Sequence, residues 1–310
     1  MEQDIKQRID ALQEKYSATG QDMLSYLDGL IYSDYLSYWD YVHLDTLLSL
    51  QSPRTPFPDE EIFIMYHQIT ELYFKLSLHE LQQIAEKENI TKAEFLMRLK
   101  RIVRYFDVLS ASFDVMTDGM EQEQFLKFRM ALLPASGFQS AQYRMIEIAC
   151  TTLINLVDKD FREQLKSSNS TEELMHHIYW KKGATELKSG NKTYTLIQFE
   201  KKYFKKLVEH ADFFKDKNVL SKYYSLNETD KNDAELIDVL KKLDTHVNVN
   251  WPLSHFRTAV RYLHKNPEDI AATGGTNWQK YLPPRFQRRI FYPEFYSNDE
   301  LENWGKNKVH

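Results

Sequence analysis

Apolar residues recur at intervals of three and four positions over long windows of this 310-residue chain, and this spacing constrains the fold more than any other feature. The clearest window begins near Pro58 and continues to Leu81, and its first turn, residues 59–61, is entirely acidic, which suits a helix dipole. Only nine glycines and nine prolines are present, and no period-2 run is long enough to demand a sheet. The sequence therefore predicts an all-α fold.

Further helix starts are marked by the pattern Ser/Thr-x-x-Glu. Thr91 and Ser170 each precede a glutamate by three positions, as in a capping box. Helical spacing also extends through several other windows. These predicted helices lie at about residues 92–116, 121–131, 138–157, 195–215, 233–245 and 251–265.

Two stretches are predicted as surface connections, residues 158–170 and 187–194, because they are rich in Lys, Ser and Asn. Neither has the composition of a flexible linker, and no internal repeat is apparent. We therefore expect one all-helical domain over residues 1–310, with a smaller helical insertion at about 160–245.

Charge and cysteine content narrow the class of protein. Lys and Arg number 40 against 45 Asp and Glu, and the two signs are interspersed, so the basic surface of a nucleic-acid binder is not expected. No stretch approaches the roughly 20 apolar residues of a membrane span, and the first 16 residues do not resemble a signal peptide. The single cysteine, Cys150, excludes an internal disulfide and covalent Cys-x-x-Cys-His haem attachment. We expect a cytoplasmic protein with no membrane partner.

Ten histidines are the candidate metal ligands. His79-Glu80 begins like a zincin motif, but Gln83 replaces the second histidine. Glu173 and His176 have the Glu-x-x-His spacing of di-iron bundles, but no second copy follows, so a solvated helix face is the better interpretation. Neither metal motif is complete.

His255 is the more interesting histidine. Trp251, His255 and Ala259 are four residues apart and fall on one face of a predicted helix. An imidazole next to a small residue and apolar neighbours suits a flat macrocycle. From this segment alone, a core histidine hydrogen-bonded to backbone is equally compatible.

Two aromatic-polar pairs have helical spacing: Phe63 with His67, and Phe125 with Arg129. A ring beside a polar group on one face is typical of a pocket for an aromatic amino acid, although a core edge that meets solvent has the same pattern. Arg129 is followed by a small-residue turn that includes Ser136 and Gly137, where a ligand could approach the backbone. A plain helix connection would look alike.

Two further segments have open interpretations. Tyr38 and Tyr41 lie three residues apart, and their aromatic density suits core packing or a subunit interface as well as a ligand site. Thr273 begins a Thr-Gly-Gly turn that is too short for a phosphate loop, so a mobile surface loop is the default interpretation.

Taken together, the segments resemble tryptophan 2,3-dioxygenases. The matching segments occur in order across residues 35–282, and the Pro-Ala-Ser-Gly-Phe-Gln-Ser run is the most specific of them. They are YWDYVHLDTLL at 38–48, FIMYHQITELYFK at 63–75, FRMALLPASGFQS at 128–140, Gln142-Tyr143-Arg144 with Glu147, Trp251-x-x-x-His255, Arg261, Thr273-Gly274-Gly275 and Tyr281-Leu282.

The resemblance implies a role for each site residue. It makes His255 the axial ligand of haem iron, with His67 at the indole N–H and Arg129 at the substrate carboxylate. Thr273 would hold the ammonium group. The remaining substrate-binding residues would be Phe63, Phe125, Ser136 and Gly137, joined by Tyr38 and Tyr41 of a neighbouring subunit in a homotetramer.

The implied activity is insertion of O2 across the indole C2–C3 bond of L-tryptophan, which yields N-formyl-L-kynurenine. The implied cofactor is haem b, bound non-covalently with one haem per subunit. Rival hypotheses are a haem enzyme of the same scaffold that oxidises another indole or tyrosine, and a non-enzymatic haem sensor, which would not need the Arg129 clamp. This chain departs from the family pattern at Tyr73 and Ala272, and it carries extra residues, 265–269, between His255 and Thr273.

Overall fold

A computed structural model of the chain describes residues 1–33, 37–132, 139–168, 170–185, 191–263 and 283–306. Within these ranges every regular element is a helix, apart from two isolated β-bridges. The predicted all-α fold is confirmed. None of the described helices has the length and apolar character needed to cross a membrane. The chain forms two compact units, Met1–Ser52 and Pro53–His310.

The first unit is made of four helices: α1 (Glu2–Ala18), α2 (Met23–Ile31), α3 (Tyr38–Tyr41) and α4 (Leu44–Leu47). The Asp22 carboxylate caps α2 by accepting two backbone N–H bonds. None of the residues in these four helices is buried, although several are large and apolar.

The second unit is built around two long helices, α5 (Asp59–Glu86) and α6 (Lys92–Ser112). The predicted start at Thr91 is confirmed, because its hydroxyl accepts the backbone N–H of Glu94. The other α-helices of this unit are α7 (Asp114–Thr117), α8 (Gln122–Phe128), α9 (Ala141–Cys150), α10 (Leu153–Leu156), α11 (Lys159–Leu165), α12 (Thr171–His176), α13 (Tyr179–Lys182), α14 (Tyr194–Phe214), α15 (Val219–Ser225), α16 (Glu228–Lys231), α17 (Ala234–Thr245), α18 (Trp251–Leu263) and two short ones, Pro284–Gln287 and Asn298–Glu302.

The main core lies between α5, α6, α9, α14 and α17. Helix α6 shows why: Phe95, Leu99, Ile102 and Phe106 recur at helical spacing and are completely buried. Helix α9 has no solvent face, since each of its residues from Tyr143 onward is buried. This core supports the helices that carry the candidate site.

Two connections differ from the sequence-based expectation. Residues 158–170 were predicted as a surface connection, but α11 forms there because the Asp158 carboxylate caps its first turn. The window 138–157 was predicted as one helix, yet it is divided into α9 and α10 at Thr151, whose backbone is extended. The Thr151 hydroxyl donates to the Phe291 carbonyl at 2.7 Å, a distant contact that local spacing does not reveal.

Helices α17 and α18 are joined without a loop by a π-helical segment, His246–Asn250. The backbone N–H of Trp251 bonds to the His246 carbonyl, five residues back instead of four. Pro252 follows immediately and has no N–H to donate. Single π turns of this kind often occur at functional sites, and this one directly precedes the turn that carries His255.

Candidate active site

A second, smaller apolar cluster lies where α5, α7, α8 and α18 meet. Phe63 and Phe125 pack against it, and Trp251 contacts both this cluster and the main core. Sequence reasoning identified these three residues but missed the buried members beneath them. Those members are Tyr66, Phe113, Met116, Met120, Phe128 and Tyr262.

His67 lies on α5, one turn after Phe63, and the two ring centroids are 4.1 Å apart. The His67 Nδ1–H donates to the Phe63 carbonyl at 2.7 Å. Because a carbonyl can only accept, the neutral ring carries its proton on Nδ1 and leaves Nε2 as an acceptor. Burial lowers the pKa of His67, so the neutral form is favoured.

His255 lies on α18, with its ring 6.2 Å from that of Phe113 and inclined to it by 23°. Burial, with a smaller contribution from the nearby His67, lowers the pKa of His255 to about 4. The imidazole is therefore neutral at physiological pH. In the described part of the chain its ring makes no hydrogen bond, so its nitrogens are available to a metal.

The two imidazoles lie near enough for His67 to contribute to the lowered pKa of His255. His67 is exposed and His255 is partly buried, so both rings remain accessible at this histidine site of the second unit. Haem iron held by a histidine needs a neutral imidazole among aromatic side chains, and the residues present fit that group.

Helix α8 contributes the aromatic wall and the arginine. The Phe125 ring lies 6.3 Å from Phe63, and the Phe128 ring lies 5.8 Å from Phe63. Arg129 follows at once and begins a 3-10 turn, Arg129–Leu132. Only 5% of Arg129 is exposed, and burial lowers its guanidinium pKa. A buried guanidinium beside this wall is suited to bind a carboxylate.

Two contacts hold α18 against the end of α7. The Thr258 and Thr117 hydroxyls lie 2.8 Å apart, and the Tyr262 hydroxyl donates to the Met116 carbonyl at 2.5 Å. Thr258 is three residues after His255, so these bonds hold in place the stretch of α18 that carries His255. Sequence reasoning missed them because the partners are about 140 residues apart.

Five predicted site residues lie outside the part of the second unit that the structure describes. Tyr38 and Tyr41 belong to the first unit, where 72% and 75% of their surfaces are exposed. Ser136, Gly137 and Thr273 lie outside the described residues. Their roles stay predictions.

Comparison with known proteins agrees with the site chemistry. A family model described as tryptophan 2,3-dioxygenase matches residues 28–248. The chain is 44% identical over 117 residues to a tryptophan 2,3-dioxygenase of a Ruegeria species, and 41% identical over 123 residues to one of Polaromonas naphthalenivorans. These alignments cover 37% and 39% of this chain and only 42% and 43% of the relatives.

A longer alignment covers most of the chain. It joins the chain to a tryptophan 2,3-dioxygenase of Bacillus thuringiensis at 28% identity over 276 residues, which is 86% of this chain and 92% of the relative. The family model spans most of the chain, including Phe63, His67, Phe125 and Arg129, and ends before His255. The chain therefore belongs to the tryptophan 2,3-dioxygenase family.

Proposed function

We propose that this chain is a haem-dependent dioxygenase that inserts O2 across the indole C2–C3 bond of L-tryptophan and yields N-formyl-L-kynurenine, the first step of the kynurenine route. The observation that carries the proposal is that two neutral histidines, His255 and His67, lie near each other and that each contacts a phenylalanine of the same aromatic cluster. When bound, the haem supplies the ferrous iron at which O2 is activated.

His67 and Arg129 orient the substrate in this proposal. The bond from His67 Nδ1–H to the Phe63 carbonyl leaves Nε2 as an acceptor for the indole N–H. The buried Arg129 guanidinium binds the substrate carboxylate in two-pronged fashion. Phe63 and Phe125 enclose the indole ring and exclude water. Ser136, Gly137 and Thr273 complete the pocket, with Thr273 at the ammonium group.

The cofactor is haem b, held non-covalently by His255, with one haem per subunit. Its attachment is non-covalent because the single thiol, Cys150, is completely buried in the main core. Burial raises the pKa of that thiol well above its usual value, which also makes it unreactive.

The working assembly is a homotetramer in which Tyr38 and Tyr41 complete the pocket of a neighbouring subunit. One face of α5 supports an interface, because Met65, Ile69 and Leu72 form an apolar stripe that is 39–48% exposed. The first unit likewise has large apolar side chains without a buried core of its own. A second copy of the chain would cover such surfaces.

A turnover assay tests the activity. The haem-loaded protein is reduced, mixed with L-tryptophan in air, and the formation of N-formylkynurenine is followed. Tryptamine, which lacks the carboxylate, serves as the matched substrate and should react poorly because it offers no carboxylate to the Arg129 guanidinium. Tight haem binding without product would support the haem-sensor alternative instead.

A subunit-mixing experiment tests the shared pocket. A Tyr38→Ala/Tyr41→Ala variant keeps His255, and a His255→Ala variant keeps both tyrosines, so each should be poorly active alone. Co-refolded mixtures should regain activity, because the tyrosines of one subunit complete the haem site of another. No recovery, or a fully active monomer in sedimentation, would contradict the tetrameric arrangement.

A further inference from the structure

The π segment leaves one backbone carbonyl without a helical donor. In α-helical register the Val247 carbonyl would accept the N–H of Trp251, but that N–H bonds to the His246 carbonyl. In π register the donor would be residue 252, which is Pro252 and has no N–H. Val247 is completely buried, so water cannot replace the missing donor.

A tyrosine from another helix supplies the bond. Tyr143, on α9, donates its hydroxyl to the Val247 carbonyl at 2.6 Å, and the pairing is buried. The Tyr143 hydroxyl is thus the group that satisfies the carbonyl that Pro252 orphans. The residues are 104 positions apart, so helical spacing alone gives no sign of this contact.

We infer that Tyr143 is a positioning residue for the haem-binding helix: its hydroxyl holds the π segment in the register that sets the orientation of His255. This inference rests on the proposed role of His255 as the iron ligand. A change of one residue in helix register rotates every following side chain by about 100° around the axis. A lost bond at Val247 is therefore expected to disturb the orientation of His255, two turns further on.

The ring of Tyr143 is held as firmly as its hydroxyl. The Arg144 guanidinium lies 4.7 Å from the ring centroid and that of Arg289 lies 5.9 Å away. The Phe74 ring packs at 5.4 Å, and Phe74 also lies 5.7 Å from Trp251 at the start of α18. The hydroxyl is consequently directed at Val247 by fixed neighbours.

Tyr143→Phe is the direct test, because it removes the hydroxyl and keeps the ring. The matched control is Tyr223→Phe, which removes another buried tyrosine hydroxyl bonded to a backbone carbonyl, that of Lys231 at 3.1 Å. We expect haem to dissociate about tenfold faster from the Tyr143 variant, since a buried acceptor loses its partner. The iron-histidine stretching band of the ferrous protein should shift as well. The control should leave both properties unchanged.

Equal thermal destabilisation of the two variants, with haem dissociation and the iron-histidine band unchanged in both, would show that Tyr143 is an ordinary core residue and would overturn the inference. A second variant tests the link to proline. Pro252→Ala restores an N–H at position 252, so Tyr143→Phe should have a smaller effect in that background. An undiminished effect would also count against the inference.

Failure of the haem-ligand role is distinguishable from failure of this inference. If wild-type protein lacks the iron-histidine band, or His255→Gln retains it, the role of His255 is wrong. Hydrogen exchange at residues 246–255 tests the Tyr143–Val247 bond without any haem signal. Exchange should be faster in this segment for Tyr143→Phe and unchanged for Tyr223→Phe, and unchanged exchange in both variants would overturn the inference.

Discussion

The interior around Glu147 and the histidine site of His67 and His255 both belong to the second unit, but their polar groups are satisfied in different ways. Glu147 is 1% exposed, and its carboxylate accepts bonds from Arg144 at 2.9 Å and from the Tyr179 hydroxyl at 2.6 Å. Arg289 also pairs with it. The chain itself supplies these partners.

At the histidine site, the imidazole rings of His67 and His255 remain partly accessible. His67 uses one nitrogen for the Phe63 carbonyl, and its ring still reaches accessible space. His255 is desolvated without a hydrogen bond in the described residues. Burying polar groups without partners is costly. We infer from this difference that the interior around Glu147 stabilises the fold, whereas the histidine site is suited to bind groups that come from outside the chain.

The largest expected effect concerns the closed interior. Glu147→Gln removes the carboxylate charge and leaves two buried guanidinium groups without their counter-ion. The free energy of unfolding should fall by about 3–5 kcal/mol, measured by denaturant titration. Glu163→Gln is the control, because Glu163 pairs with Lys166 on the surface and should change little. If Glu147→Gln lowers the free energy of unfolding as little as the control does, Glu147 does not stabilise the fold in the way described.

A slightly smaller free-energy change is expected when Arg129, beside the histidine site, is replaced. Arg129→Ala, at matched haem content, should lower kcat/KM for L-tryptophan by roughly 30- to several-thousand-fold, which corresponds to about 2–5 kcal/mol. Arg129→Lys should rescue little, because an ammonium lacks the two-pronged geometry. Arg104→Ala, an exposed arginine on α6, is the control. A loss below about fivefold would mean that Arg129 only forms a structural ion pair.

The smallest effect expected for any single residue is a pH dependence, to which one histidine of each region contributes. The folded-state pKa values of His255 and of His210, whose Nε2–H donates to the Met145 carbonyl at 3.0 Å, are both lowered to about 4 by burial, from 6.5. Above pH 6.5 both histidines are neutral in the folded chain and in the unfolded chain. As pH falls toward 4, the unfolded chain gains protons that the folded chain does not, so stability is lost.

Each of these histidines should contribute up to about 3 kcal/mol to that acid loss. Denaturant titrations of haem-free protein between pH 7 and 4.5 would measure it. His255→Gln and His210→Gln should flatten the pH dependence similarly, but only His255→Gln should abolish haem retention. Haem loss in both variants, or unchanged slopes, would contradict the comparison.

The candidate site was predictable to different degrees along the chain. His67 and Phe63, or Phe125 and Arg129, are one helical turn apart, and local spacing is enough to place each pair on one face. Their meeting with His255 was expected only from family resemblance, and their geometry came from packing. The contacts of Phe113, Tyr143 and Tyr262 were not predicted, although Tyr143 belongs to a segment that matches the family, because nothing near these residues in sequence shows what they contact.

The helical character of this protein follows from the sequence alone, because apolar spacing of three and four residues is a local pattern that can be recognised within a turn or two of helix. The sequence also determined which short motifs carry polar groups beside aromatic ones. The packing of distant segments is what places Tyr143 at the π segment ahead of α18, Arg289 against Glu147, and His67 near His255. These arrangements depend on contacts over a hundred or more residues of chain, and the packing of whole helices, not local spacing, sets them.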